Sequence, residues 1–172
     1  MSLVLGIDPG IARLGYGLVR ERPDRSLGFV DCGVITTPAG WELEDRLQEV
    51  NSDIGALLDE HRPEAVAMEQ LTFGSNSPTA FAVGCVCGVV MSNAAGRGMK
   101  VSLYAPAQVK QQLTGTGRAD KQQMQQMVRL TLSLDAIPRP DDAADGLAVA
   151  LCHLYRQKFR TVVLDQTGGP TR

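Results

Sequence analysis

Leu3, Val4, Leu5 and Ile7 form an apolar run that ends at Asp8, and Pro9-Gly10 follows at once. A run this short, bounded by a turn signal, predicts a buried strand, with RLGYGLV returning as its antiparallel neighbour. RERPDRS supplies the next polar turn and LGFVDCGVIT a third strand. The period then becomes helical: Leu43, Leu47, Val50, Ile54, Leu57 and Leu58 make one stripe that stops at Pro63. AVAMEQ (65–70) reads as a short buried strand closing on a carboxylate, Glu69. Pro78 near the start of NSPTAFAVGCVCGVVMSNAAG, and the small and apolar residues after it, predict a largely buried helix.

KVSLYAP is the fifth strand candidate. APAQVKQQLTG and ADKQQMQQMVRLTLSLD predict two helices separated by TGTG, the second with Met124, Met127, Val128 and Leu132 on its apolar side. DDAADGLAVALCHLYRQKF predicts the last helix, whose leading aspartates suit the exposed N–H groups of a helix start. Three strands, a helix, then alternating strands and helices predict an α/β fold: a mixed five-stranded sheet flanked by helices, in one domain over residues 1–160, with 161–172 as a partly flexible tail.

Composition narrows the class. A chain of 172 residues with 44% hydrophobic content can fill one core. No charge-free spanning stretch of about 20 residues is expected, so a soluble cytoplasmic protein is the expectation. Of Cys32, Cys85, Cys87 and Cys152, the C-x-C pair at 85 and 87 has no nearby histidine and reads as buried thiols rather than zinc ligands, and His61 and His153 do not complete a zinc site.

The net charge of -2 conceals a gradient. Residues 42–69 hold nine acids against Arg46 and Arg62, whereas residues 97–129 hold Arg97, Lys100, Lys110, Arg118, Lys121 and Arg129 against Asp120 alone. The second region could meet phosphates while the first faces away or carries metal ligands.

Asp142 and Asp145, three apart at a helix start, lie on one face, while Asp141 points elsewhere as a possible cap. Asp8 and Glu69 each end a predicted strand, and strand ends in open sheets are where ligand sites gather. Each acid alone is equally an ordinary turn or cap residue; together they would repel unless a cation intervened. Mg2+ or Mn2+ suits such an oxygen set, and two ions about 3.5–4 Å apart can drive phosphodiester hydrolysis without a covalent nucleophile.

The chain resembles the RuvC family of Holliday junction resolvases, endonucleases with an RNase H-like fold. The resemblance lies in LGIDPG followed by GYG, MEQLTFGSN (68–76), YAPAQVKQQLTGTGRADKQQMQQMV (104–128) and DAADGLAVALCH (142–153), in the family's order. It implies that Asp8, Glu69, Asp142 and Asp145 bind metal. It further implies a homodimer that nicks two opposed strands of a four-way DNA junction at symmetric positions, with RuvA and RuvB as partners. Lys110 and Lys121 match family lysines that serve the phosphates and the catalytic centre, Lys121 as a catalytic residue, and Arg118 would help hold the DNA backbone. Phe73 is the candidate for the aromatic residue that stacks at the junction centre, although it stands four positions after Glu69, where Thr72 holds the third. DDAAD leaves the role of Asp141 open. Three other readings compete: a nucleotide-dependent phosphotransferase, disfavoured by length and the lack of a GxxxxGK[ST] loop; an RNase H-type nuclease using the same acids; and a junction-binding architectural protein without cleavage.

Overall fold

A computed structural model describes residues 2–71 and 78–167. Its sheet has the order β3-β2-β1-β4-β5. The strands are β1 (Leu3–Asp8), β2 (Arg13–Glu21), β3 (Leu27–Thr36), β4 (Ala65–Glu69) and β5 (Lys100–Tyr104). β1, β2 and β3 form an antiparallel meander, and β1, β4 and β5 pair in parallel. Helices α1 (Leu43–His61) and α2 (Pro78–Gly96) cover one face, and α3 (Pro106–Thr114), α4 (Lys121–Thr131) and α5 (Asp141–Thr167) cover the other. The expected mixed five-stranded sheet flanked by helices is present.

Strand alternation decides which residues see which layer. Leu3, Leu5 and Ile7 pack with Val50, Ile54 and Leu58 of α1 and with α2, whereas Val4 and Ala67 join α4 and α5. Asp8, in phase with Val4, and Glu69, in phase with Ala67, therefore project toward α5. The same alternation puts Gly15 and Gly17 of β2 under α5, opposite Leu14 and Leu18, which join α1 and α2.

Those two glycines let the helix come unusually close. A Cβ at Gly17 would lie 2.4 Å from the Leu147 nitrogen, and one at Gly15 would lie 2.0 Å from the Asp142 carbonyl oxygen. The GYG segment, which also resembles a phosphate-binding loop, is thus a docking surface for α5.

Three expectations need correction. α2 is not buried all round: Val83, Val86, Cys87, Val90 and Ala94 face the core, but Phe81 is 71% exposed and Cys85 only half-buried. Nor is the chain without an apolar stretch, since Thr79–Gly96 is long and apolar enough to cross a membrane by length and composition. Here one face of it packs on the sheet and α1, as a core helix does. Finally, α5 continues to Thr167, eight residues past the helix end expected at Phe159. Its early turns carry the burial, with Leu147, Leu151 and Leu154 among the largest fully buried side chains.

Candidate metal and nucleic-acid site

The C-terminal ends of β1 and β4 lie side by side, with Ile7 paired to Met68, so Asp8 and Glu69 stand next to each other one residue beyond. α5 begins across the glycine surface of β2 and delivers Asp142 and Asp145. Asp8, Asp142 and Asp145 each offer one carboxylate oxygen, all within 4.8 Å of one another. Glu69 lines a cleft of about 310 Å³ with Asp8, Asp145, Lys110 and Lys121.

Two helices supply the cationic wall. Val109 and Leu113 anchor α3 in the core, leaving Lys110 on the cleft. At α4, Asp120 accepts from the Gln123 N–H at 2.8 Å, while Gln123 Oε1 accepts from the Asp120 N–H at 3.0 Å. This capping box fixes Lys121 as the first helical residue. Its Nζ lies 3.4 Å from Asp145 and 3.7 Å from Asp141. Asp141 therefore meets the lysine and stands outside the three-aspartate cluster.

The electrostatics follow from burial and crowding. Burial first, then the Asp145 and Asp142 charges, push the Asp8 carboxyl up to about 6 against the pull of Lys121. Burial, then Asp8 and Asp145, push Glu69 up to about 7, with Lys110 opposing. Burial also raises Asp145, outweighing the lowering by Lys121, and Asp142 and Asp141 add to the rise. Burial disfavours the Lys121 ammonium, but Asp145, Asp141 and Asp142 together hold it above its usual range.

These shifts predict an inverted pH dependence of stability without divalent ions. A carboxyl whose folded pKa is raised binds more protons folded than unfolded between the two values. The contribution of Asp8 and Glu69 is thus full below the unfolded pKa near 4 and is lost as pH rises through about 6 to 7. In EDTA the protein should lose on the order of 2 kcal/mol between pH 5 and pH 8 from this pair. Urea titrations at the two pH values check it; Glu69→Gln should flatten the difference.

The donor set suits a hard divalent cation. All four acids offer oxygen donors, and among the described residues no cysteine or histidine joins the cluster of Asp8, Asp142 and Asp145. Cys87 and Cys152 are buried thiols. His153, last residue of the DAADGLAVALCH segment, contacts the Tyr104 hydroxyl through Nδ1 at 2.8 Å and belongs to the scaffold. Arg118 stands exposed on the loop before α4, where its backbone N–H donates to Thr116 Oγ1 at 3.3 Å. Phe73 lies outside the described residues.

Sequence reasoning missed Arg13. Its Nε donates to Asp142 Oδ2 at 2.5 Å. The signal was available in RLGYGLV: Arg13 is in phase with Gly15 and Gly17, and Gly15 pairs with Asp8. Alternation alone places it on the face of the acids.

Comparison with known proteins agrees with this geometry. The family model for "Crossover junction endodeoxyribonuclease RuvC" matches residues 4–153. The chain belongs to the RuvC family. It is 49% identical to the crossover junction endodeoxyribonuclease RuvC of Rubrobacter xylanophilus, covering 92% of this chain and 88% of that one. With the RuvC of Roseiflexus sp. it shares 53% identity over 88% of this chain and 89% of the relative. The solved Thermus thermophilus RuvC in complex with Holliday junction substrate matches with a TM-score of 0.87 and 36% identity, over 94% of this chain and 98% of the other. The RNase H-like architecture expected from the resemblance is thereby established, and the clustered aspartates resemble a metal-binding site, in keeping with a metal-dependent nuclease of the RuvC family.

Proposed function

We propose that the chain resolves Holliday junctions, making paired symmetric nicks in opposed strands by divalent-metal-assisted phosphodiester hydrolysis. The observation that carries this reading is the meeting of Asp8, Asp142 and Asp145 within 4.8 Å, beside Glu69 and two lysines, in a chain of this family. Asp8, Glu69, Asp142 and Asp145 hold Mg2+ or Mn2+, two ions per site. Bound ions of this kind activate water and offset the charge of the leaving oxygen.

The chain's own residues do the positioning. Lys121 orients the scissile phosphate from the first turn of α4, where its charge is maintained by the aspartates it faces. Lys110 holds the same phosphate from α3, which lines the same cleft. Arg118, exposed ahead of α4, grips the neighbouring backbone, and Phe73 stacks at the junction centre. Residues 1–160 form the nuclease unit. It works as a homodimer in the cytoplasm, one site per strand, together with the branch-migration proteins RuvA and RuvB.

The test is cleavage of a branch-migrating and an immobile four-way junction, beside linear duplex and RNA–DNA hybrid, in Mg2+, Mn2+ or EDTA. Paired nicks confined to junctions and abolished by EDTA are expected. Cleavage of the hybrid would transfer the site to an RNase H-type activity, and binding without cleavage in either metal would make the protein architectural.

A further inference from the structure

We propose that Arg13 is a stand-in cation that sets how tightly Asp142 takes a divalent ion. This rests on the reading of Asp8, Asp142 and Asp145 as metal ligands.

The cations near the acids are divided. Lys121 serves Asp145 and Asp141 across the α4–α5 contact, whereas Arg13 comes from the start of β2, 129 residues from Asp142 in sequence, to occupy Asp142 Oδ2. The backbone that carries Arg13 is clamped. Arg13 pairs with Thr36, the Thr37 N–H donates to the Ala12 carbonyl at 3.1 Å, and the Thr37 hydroxyl donates to the Ile11 carbonyl at 2.5 Å. Gly10 closes the turn so tightly that a Cβ there would lie 2.1 Å from the Arg13 carbonyl oxygen. The side chain is 51% exposed, against 27% for Asp142. A fixed Cα with a half-solvated guanidinium places a positive charge at this end of the sheet and leaves it free to yield.

Two effects on metal affinity oppose each other. Arg13 orders the Asp142 side chain, which is worth less than about tenfold because an aspartate has few rotamers to lose. Against this stands repulsion between a guanidinium and a doubly charged ion sharing one carboxylate. At roughly 5 Å that exceeds about tenfold even at the dielectric constant of water. Charge wins, so Arg13 weakens metal binding at Asp142 and raises the ion concentration at which the site fills.

The experiment is Mn2+ binding to the full chain without DNA, read as loss of the free-ion signal by electron paramagnetic resonance. Arg13→Ala should bind Mn2+ at least about tenfold more tightly than wild type, and Arg13→Gln, which keeps the length of the side chain, should do the same if the alanine variant folds poorly. Arg13→Lys, which keeps the charge, should remain near wild type. Unchanged or weaker binding in both neutral variants overturns the proposal. Asp142→Asn separates the two levels: weaker binding in that variant upholds the ligand reading, so an inert Arg13 then condemns the proposal alone. Unaltered binding in Asp142→Asn overturns the ligand reading and the proposal with it.

Discussion

Asp8→Asn should abolish junction cleavage while making the metal-free protein more stable. Losing one carboxylate from a site built on charge forfeits several kcal/mol of transition-state stabilisation, which is a loss of roughly a thousandfold in rate. Junction binding should persist, because Lys110, Lys121 and Arg118 are untouched. The gain in stability follows from the same crowding that makes the site work. Asp8 is pushed up to about 6 by burial and by Asp145 and Asp142, so above that pH the folded protein carries a charge it would rather neutralise. Asparagine removes the charge, and the melting free energy in EDTA at pH 8 should rise by about 1–3 kcal/mol. At pH 4.5 the gain should be much smaller, and it vanishes only below the unfolded pKa near 4, where the carboxyl is protonated in the folded and unfolded chain alike. Urea titrations at both pH values, beside cleavage assays in Mg2+, check all three arms. An Asp8 that served only the turn would instead lose stability on substitution.

Gly15→Ala should be nearly as damaging to cleavage by a different route. The new methyl would meet the Asp142 carbonyl at 2.0 Å, and backbone cannot rotate away from it. Either β2 or the start of α5 must shift, at a cost of about 3 kcal/mol, the upper end for overpacking. The shift would separate Asp142 and Asp145 from Asp8, and a displacement of about 1 Å in a catalytic constellation costs on the order of a hundredfold. Gly88→Ala on α2 is the control: among the described residues nothing beyond its own stretch of helix lies within 4 Å of a Cβ there, and alanine in a helix should be neutral or stabilising by up to about 1 kcal/mol. Thermal unfolding and junction cleavage of the two variants should diverge sharply. Equal behaviour would mean that α5 tolerates displacement and that the close glycine contact is not what sets the site.

The architecture was legible because its signals are local. Apolar runs broken by Pro-Gly or polar turns marked the strands, and the 3.6-residue stripe of Leu43, Leu47, Val50, Ile54 and Leu58 marked α1. α2 misled for a physical reason: composition records that a helix is apolar, but which of its faces finds a partner depends on neighbours. The end of α5 was misplaced because backbone hydrogen bonding can carry a helix past the residues that pack it.

The sequence by itself determined the chemistry of the site. It placed carboxylates at two strand ends and a helix start, and put lysines in a basic segment. Only the tertiary structure decided that the acids meet. That needed β1 and β4 to pair in parallel across some 60 residues of intervening chain, and α5 to press onto Gly15 and Gly17 closely enough to bring Asp142 and Asp145 beside Asp8. It also decided which cation serves which acid: Asp141 goes to Lys121, and Asp142 to an arginine from the first hairpin. Local sequence sets the dihedral preferences and the period of the side chains. The distance between charges far apart in the chain is set by packing, and charge–charge energy depends on that distance.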